Sequence, residues 1–233
     1  MSESGHITIV GAGLGGALLA CRLAQAGHQV SMYERRGDPR AEGFVGGRSI
    51  NLAISARGIA ALREAGLTDE VLRAAIPMPG RMIHDSDGGL HFQAYSKDAS
   101  DHINSVSRAD LNMILLKSAA SHASVRMYFD HRCAAIDFKP ARPVVTFERP
   151  DGSSVQVETD RIIGADGAFS AVRLQMMLSM DRFDYRQDYL QHGYKELHIP
   201  PAAGCGVDPN RHGGFAMEPR ALHIWPRGGY MMI

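Results

Sequence analysis

The sequence predicts an α/β fold that opens with a βαβ unit, and two observations support this prediction. A short β-branched run, His6–Val10, leads directly into the pattern G-x-G-x-x-G at Gly11, Gly13 and Gly16. A stripe with the i, i+3, i+4, i+7 spacing of one helix face then follows, at Gly16, Leu19, Ala20 and Leu23. The pattern is typical of a Rossmann-like unit that binds a dinucleotide.

The second strand is predicted over residues 28–33, after Gly27 ends the helix. Glu34 closes this strand at the distance from the glycines where dinucleotide folds place the acid that binds the ribose. A carboxylate there can accept both ribose hydroxyls but repels a 2′-phosphate, so the unit favours FAD or NAD over NADP. The alternative is a glycine-rich turn that binds no ligand.

Each residue type in the turn has a chemical reason. Gly11 permits the tight turn, Gly13 leaves room for a pyrophosphate beside the backbone, and Gly16 lets helix and strand pack closely. The first N–H groups of the helix that follows are free to face phosphate oxygens.

Composition excludes several classes of protein. The 25 Lys+Arg balance the 25 Asp+Glu, which argues against binding nucleic acid through a basic face. Three widely spaced cysteines exclude a disulfide scaffold and a zinc knuckle and fit a reducing compartment. We expect a cytoplasmic location, because the N-terminus does not resemble a secretory signal and no apolar run reaches the roughly 18 residues of a membrane span.

Beyond Glu34, residues 35–48 form a polar, glycine-rich segment that is too long for an ordinary connection and indicates a functional loop. Ser55 is predicted to cap a helix that stops at Gly66, Thr68 to open another, and Ser107 to cap a third. Strands are predicted over residues 125–129, 133–138, 143–149, 154–158 and 161–164. Pro150-Asp151-Gly152 indicates a hairpin. Strand-like patterns also occur between residues 81 and 95 and in 192–199, 221–226 and 230–233.

The segment GADGAFSAVR, residues 164–173, resembles the second nucleotide motif of the single-component flavoprotein aromatic hydroxylases. Five further blocks resemble the members of that family that hydroxylate kynurenine: GRSINLAIS, IPMPGRMIH, SVSRADLN, HGYKEL and EPRALHIWPRGGYMMI. Together these blocks extend over most of the chain.

The resemblance implies a role for particular residues. The cofactor FAD would be held by Gly11, Gly13, Leu14, Gly16, Glu34, Arg35, Ala53, Arg108, Asp166 and Gly167. Residues 49–53 would pass close to the flavin ring. Arg81 would pair with the α-carboxylate of kynurenine, and Tyr95 would contact the same carboxylate. A planar guanidinium suits this task because it can grip a carboxylate through two parallel hydrogen bonds.

Each of these residues also has a purely structural interpretation. Arg81 could be a solvated strand residue, Arg108 a surface residue, Tyr95 ordinary sheet packing and Asp166 a turn residue before a helix. The histidines show no metal-ligand spacing, so we expect no metal site and a structural role for His192, His198 and His223. Trp225 is expected in the core.

The resemblance also implies a reaction: hydroxylation of L-kynurenine to 3-hydroxykynurenine, in tryptophan catabolism and NAD biosynthesis. NADPH would reduce FAD, and a flavin C4a-hydroperoxide would transfer the oxygen from O₂. The implied fold is a Rossmann-like FAD-binding domain, residues 1–76 and 107–180, with a β-sheet substrate domain over residues 77–106 and 181–233.

Three alternatives remain: a flavin hydroxylase acting on another aromatic acid, an NAD-dependent Rossmann dehydrogenase, and an inactive FAD-binding fragment. Because residues 231–233 end within a predicted strand, while members of the resembled family continue for about as long again, we expect the C-terminal half to be missing.

Overall fold

The computed structural model describes residues 5–42, 50–98 and 100–233. The helices of these ranges are α1 Leu14–Gln25, α2 Pro39–Glu42, α3 Ala56–Glu64, α4 Thr68–Ala74, α5 Arg108–Ala120 and α6 Ala171–Ser179. The first seven strands are β1 His6–Val10, β2 Gln29–Tyr33, β3 Asn51–Ile54, β4 Ile76–Met78, β5 Gly80–His84, β6 Leu90–Ala94 and β7 Ile103–Ser107. The other seven are β8 Val125–Tyr128, β9 Arg132–Asp137, β10 Val144–Glu148, β11 Ser154–Glu158, β12 Arg161–Gly164, β13 Leu222–Pro226 and β14 Met231–Met232.

The chain divides into two compact units. Unit 1 comprises residues 1–49, 62–67 and 109–189, and unit 2 comprises residues 50–61, 68–108 and 190–233.

Unit 1 contains a parallel sheet in the order β12-β1-β2-β8. Strands β1 and β2 are neighbours and α1 connects them, so the predicted βαβ unit is confirmed. The segment 161–164 becomes β12 on the other side of β1, although it is more than 150 residues away in sequence. A second, antiparallel sheet has the order β11-β10-β9, and β10 and β11 form the predicted hairpin, with Gly152 at φ 82°.

The core of unit 1 joins the two sheets. Tyr33 at the end of β2 stacks between the rings of Tyr128 and Phe147, with centroids 4.6 and 4.0 Å away. Burial raises the pKa of Tyr33 to about 12, so its hydroxyl stays protonated. Helices α1 and α5 meet where the Cys21 thiol approaches the Leu115 carbonyl at 3.7 Å. Val10 and Tyr33, the last residues of β1 and β2, belong to the same buried cluster as Phe147.

Unit 2 contains two sheets, in the orders β14-β13-β5-β6 and β3-β7-β4. Strand β5 pairs antiparallel with β6 through a short turn and parallel with β13, from much later in the chain. The segment between residues 81 and 95 is therefore β-rich, as predicted.

Most local predictions are confirmed, and two need correction. Helices α3 and α5 begin directly after Ser55 and Ser107, and α4 begins at Thr68. The predicted strand over residues 192–199 is wrong: the structure has no regular element there, and every residue in it is exposed. A strand-like pattern does not supply the partner strand that ladder hydrogen bonds require. The predicted loop 35–48 contains the short helix α2, and its residues 43–48, like Ser49, lie outside the described residues.

In the part of the chain that the structure describes, every helix falls short of the length and apolar character needed to cross a bilayer.

Candidate functional site

In the glycine turn at the start of α1, the fold requires glycine at two positions, Gly11 and Gly16, but not at Gly13. Gly11 has φ +105°, and a Cβ there would lie 2.5 Å from the Ala165 carbonyl oxygen. A Cβ at Gly16 would lie 2.0 Å from the Gly11 carbonyl oxygen. Gly13 has an ordinary φ of −71°, and a Cβ there would meet no atom within 4 Å. Gly13 therefore leaves open space beside the N-terminus of α1, as a bound pyrophosphate requires.

The turn lies at the carboxyl ends of adjacent parallel strands, which is where open α/β sheets bind ligands. The Gly11 N–H donates to the Tyr33 carbonyl at 2.7 Å, and the Ala165 N–H donates to the Val10 carbonyl at 2.7 Å. The structure thus brings together the two nucleotide motifs found in the sequence, one at Gly11 and the other at Ala165 and Asp166.

Glu34 sits beside the turn with its carboxylate held by main-chain donors. Its Oε2 accepts from the Ala12 N–H at 3.0 Å, and its Oε1 accepts from the Arg36 N–H at 3.1 Å. Each carboxylate oxygen can accept a further hydrogen bond. A half-buried carboxylate oriented in this way suits the two hydroxyls of a ribose. Arg35 follows it and is exposed.

Asp166 caps α6. Its carboxylate accepts from the Ser170 hydroxyl and from the Ala171 N–H, each at 2.6 Å, and Ser170 in turn accepts from the Arg173 N–H at 3.0 Å. Next to it, Gly167 has φ +85° and open space around its α-carbon. Asp166 therefore has an internal structural role next to the glycine turn, and its contact with the cofactor stays a prediction.

In unit 2 the structure brings Arg81 and Tyr95 together. The Arg81 guanidinium lies 5.7 Å from the centre of the Tyr95 ring, a cation–π distance. The Arg81 Nε is buried and has no hydrogen-bond partner among the described residues. A buried donor on a charged group is costly when unpaired, which indicates that a ligand supplies the acceptor. Tyr95, 36% exposed, leaves this position open to solvent.

Ala53 and Arg108 also belong to unit 2. Ala53 is exposed on β3, opposite Ser105 of β7. Arg108 is the exposed first residue of α5, and its N–H donates to the Ile50 carbonyl at 3.0 Å. The segment before β3 is therefore held against the start of α5.

Sequence reasoning missed a pair of histidines on β5 and β13. His84 Nε2 lies 2.7 Å from His223 Nδ1, and the Trp225 ring stacks on His84 at 4.2 Å. Burial, His223 and Arg227 together hold the pKa of His84 below its usual value. Trp225, expected in the core, is only half-buried. The alternating positions of His223 and Trp225 in LHIWP were the available signal, but the pairing with β5 was not visible in the sequence.

Comparison with known proteins agrees with this geometry. Residues 5–221 match the FAD binding domain family. A kynurenine 3-monooxygenase of Myxococcus xanthus is 47% identical over 227 residues, which cover 97% of this chain and 47% of that protein. The enzyme of the same name from Dictyostelium discoideum is 45% identical over 97% of this chain and 46% of its own length. The chain spans about half the length of the curated relatives it matches.

Solved structures share the fold. The p-nitrophenol 4-monooxygenase PnpA from Pseudomonas putida superposes with a TM-score of 0.64 at 21% identity, over 74% of this chain and 43% of that one. PqsL from Pseudomonas aeruginosa, a probable FAD-dependent monooxygenase, gives a TM-score of 0.58 at 25% identity, over 79% and 48%. With this fold, the two nucleotide motifs and the match over residues 5–221, the chain belongs to the FAD binding domain family.

Proposed function

We propose that the protein takes part in the FAD-dependent hydroxylation of L-kynurenine to 3-hydroxykynurenine, with NADPH and O₂ as co-substrates. The observation that carries this proposal is the buried, unpartnered Nε of Arg81 beside the Tyr95 ring. It occurs in a chain that is 43–47% identical to kynurenine 3-monooxygenases over 97% of its length.

Unit 1 supplies the nucleotide-binding residues. The open face at Gly13 and the N–H group of Leu14 would receive the pyrophosphate, and the Glu34 carboxylate would accept the ribose hydroxyls. When bound, FAD supplies the electron transfer from NADPH and the activation of O₂ that ring hydroxylation requires. Arg35, Asp166 and Gly167 are further proposed contacts of the cofactor in unit 1.

Unit 2 supplies the substrate-binding residues. It also contains Ala53 and Arg108, which are proposed contacts of the cofactor. The Arg81 guanidinium would form a bidentate pair with the α-carboxylate of kynurenine, which gives its buried Nε the acceptor it lacks. The Tyr95 ring, already against the guanidinium, would hold its plane in place and contact the same carboxylate. These residues bind and orient the substrate, whereas the chemistry of oxygen transfer belongs to the cofactor.

We place the protein in the cytoplasm. Its three cysteines are free, and two of them, Cys21 and Cys133, are buried. This fits a reducing compartment.

Substitution of Arg81 tests the substrate site. We expect Arg81→Ala to weaken L-kynurenine binding by about 30-fold or more, because it removes one partner of a desolvated charge pair. Arg81→Lys should weaken it by about tenfold, since an ammonium keeps the charge but lacks the two-pronged donor. The measurement is the change in flavin absorbance when FAD-saturated protein is titrated with L-kynurenine.

The control is Arg73→Ala, which removes an exposed arginine of α4 in the same unit. It should leave the affinities for L-kynurenine and FAD unchanged. FAD content should be the same in all variants. Unaltered kynurenine affinity in Arg81→Ala would refute the assignment of Arg81.

A further inference from the structure

The sheet face that carries Arg81 also carries a second polar side chain. Strands β5 and β6 are antiparallel, and in their register Arg81 lies directly opposite Gln93. Tyr95 follows Gln93 by two residues, so the side chains of Gln93 and Tyr95 leave the chain on the same side as Arg81. Side chains directly opposite each other in such a pair have Cβ atoms about 5 Å apart.

A ligand bound to Arg81 as an α-amino acid brings a second charge with it. Its α-ammonium sits on the carbon next to the carboxylate, so it lies within a few ångströms of the guanidinium, which repels it. An uncompensated ammonium at such a position is unfavourable unless an acceptor lies close by. The site therefore needs an oxygen or nitrogen acceptor next to Arg81.

Among the described residues of this sheet face, Gln93 is the acceptor best placed. His91, two residues earlier on β6, lies opposite Ile83 and is paired with Asp85 at 2.7 Å. The Tyr95 ring is already packed against the guanidinium. Gln93 is exposed on the edge strand of the sheet, so its amide can reach a bound ligand.

We propose that Gln93 is a specificity-determining residue: its side-chain carbonyl accepts a hydrogen bond from the α-ammonium of the substrate. The site thereby selects α-amino acids over carboxylic acids that lack the amine. This inference rests on the proposed function of Arg81. A neutral amide suits the role because a carboxylate at this position would form an ion pair with Arg81 and compete with the substrate.

The test compares two ligands, L-kynurenine and its des-amino analogue 4-(2-aminophenyl)-4-oxobutanoate, on FAD-saturated protein. We expect the unmodified protein to bind L-kynurenine about tenfold more tightly, the effect of one hydrogen bond to a charged group. In Gln93→Ala the ratio of the two affinities should fall to about one, with the affinity for the analogue changed less than about twofold. Gln93→Glu should weaken binding of both ligands, because the new carboxylate occupies Arg81.

His91→Ala is the matched control, on the same strand and face but not opposite Arg81, and it should keep the tenfold ratio. Loss of side-chain packing does not explain a change in the ratio, since Gln93 is exposed. If Gln93→Ala keeps the preference for L-kynurenine, Gln93 is not the specificity residue, and the function of Arg81 stands. If the unmodified protein binds neither ligand, the proposed function itself fails.

Discussion

The glycines of the turn differ in how much space surrounds their α-carbons. The positive φ of Gly11 and the close approach of its backbone to Ala165 leave no space for a side chain, and Gly16 is equally restricted by Gly11. Neither restriction applies to Gly13. Replacing Gly11 or Gly16 would disturb the fold and the site at once, whereas Gly13 allows the two effects to be separated.

We therefore predict that Gly13→Ala weakens FAD binding by about tenfold or more while changing the free energy of unfolding by less than about 1 kcal/mol. Gly15→Ala is the control: it also has open space around it, and as a helix residue it should gain about 0.5–1 kcal/mol of stability and keep its FAD affinity. Calorimetric titration with FAD and urea unfolding measure the two quantities. Equal FAD affinities in the two variants would show that the phosphates do not approach Gly13.

The sequence allowed the residues of the turn to be predicted because their signals are local. The spacing of Gly11, Gly13 and Glu34 follows from one strand, one helix and the next strand. The proximity of Arg81 to Tyr95 could be expected only from the family resemblance, because it depends on the register of the β5–β6 hairpin. The sequence does not distinguish the helix cap made by Asp166 from a ligand contact, because a turn residue before a helix looks the same in either role.

At the scale of elements, β1, α1, β2 and the hairpin of β10 and β11 were predictable from periodicity and turn residues. The parallel pairing of β5 with β13 was not, because these strands are about 140 residues apart and no local signal sets their register. The same limit explains the wrong strand over residues 192–199. The pairing of β5 with β13 also places His84 against His223.

The pairing predicts a pH dependence of stability. The lowered pKa of His84 means that the folded state favours the neutral ring, while the unfolded chain binds a proton near the ordinary value of about 6.5. The stability contributed by the pair is therefore present above that pH and is lost as the pH falls below it. His84→Phe, which can keep the stacking on Trp225 but cannot titrate, should reduce the loss of stability between about pH 7.5 and pH 5.

Urea unfolding at the two pH values measures this effect. His192→Phe, at an exposed histidine in a segment without regular structure, is the control and should behave like the unmodified protein. An unchanged pH dependence in His84→Phe would show that the histidine pair does not couple stability to pH.

At the scale of the whole molecule, the residues assigned to FAD and kynurenine come from both units. Glu34, Gly13 and Asp166 belong to unit 1, and Arg81 and Tyr95 to unit 2. Neither unit carries the full set of proposed residues. Composition and charge excluded other classes of protein, but the substrate was indicated only by residues of unit 2 and by the similarity to kynurenine 3-monooxygenases.

Product analysis tests the proposed function most directly. FAD-saturated protein is incubated with NADPH, ¹⁸O₂ and L-kynurenine, and the masses of the separated products are measured by mass spectrometry. A parallel incubation contains 4-hydroxybenzoate in place of L-kynurenine. The expected result is 3-hydroxykynurenine carrying one ¹⁸O atom, with no product from 4-hydroxybenzoate. Unchanged L-kynurenine in a sample that holds FAD, or hydroxylation of 4-hydroxybenzoate instead, would contradict the proposed function.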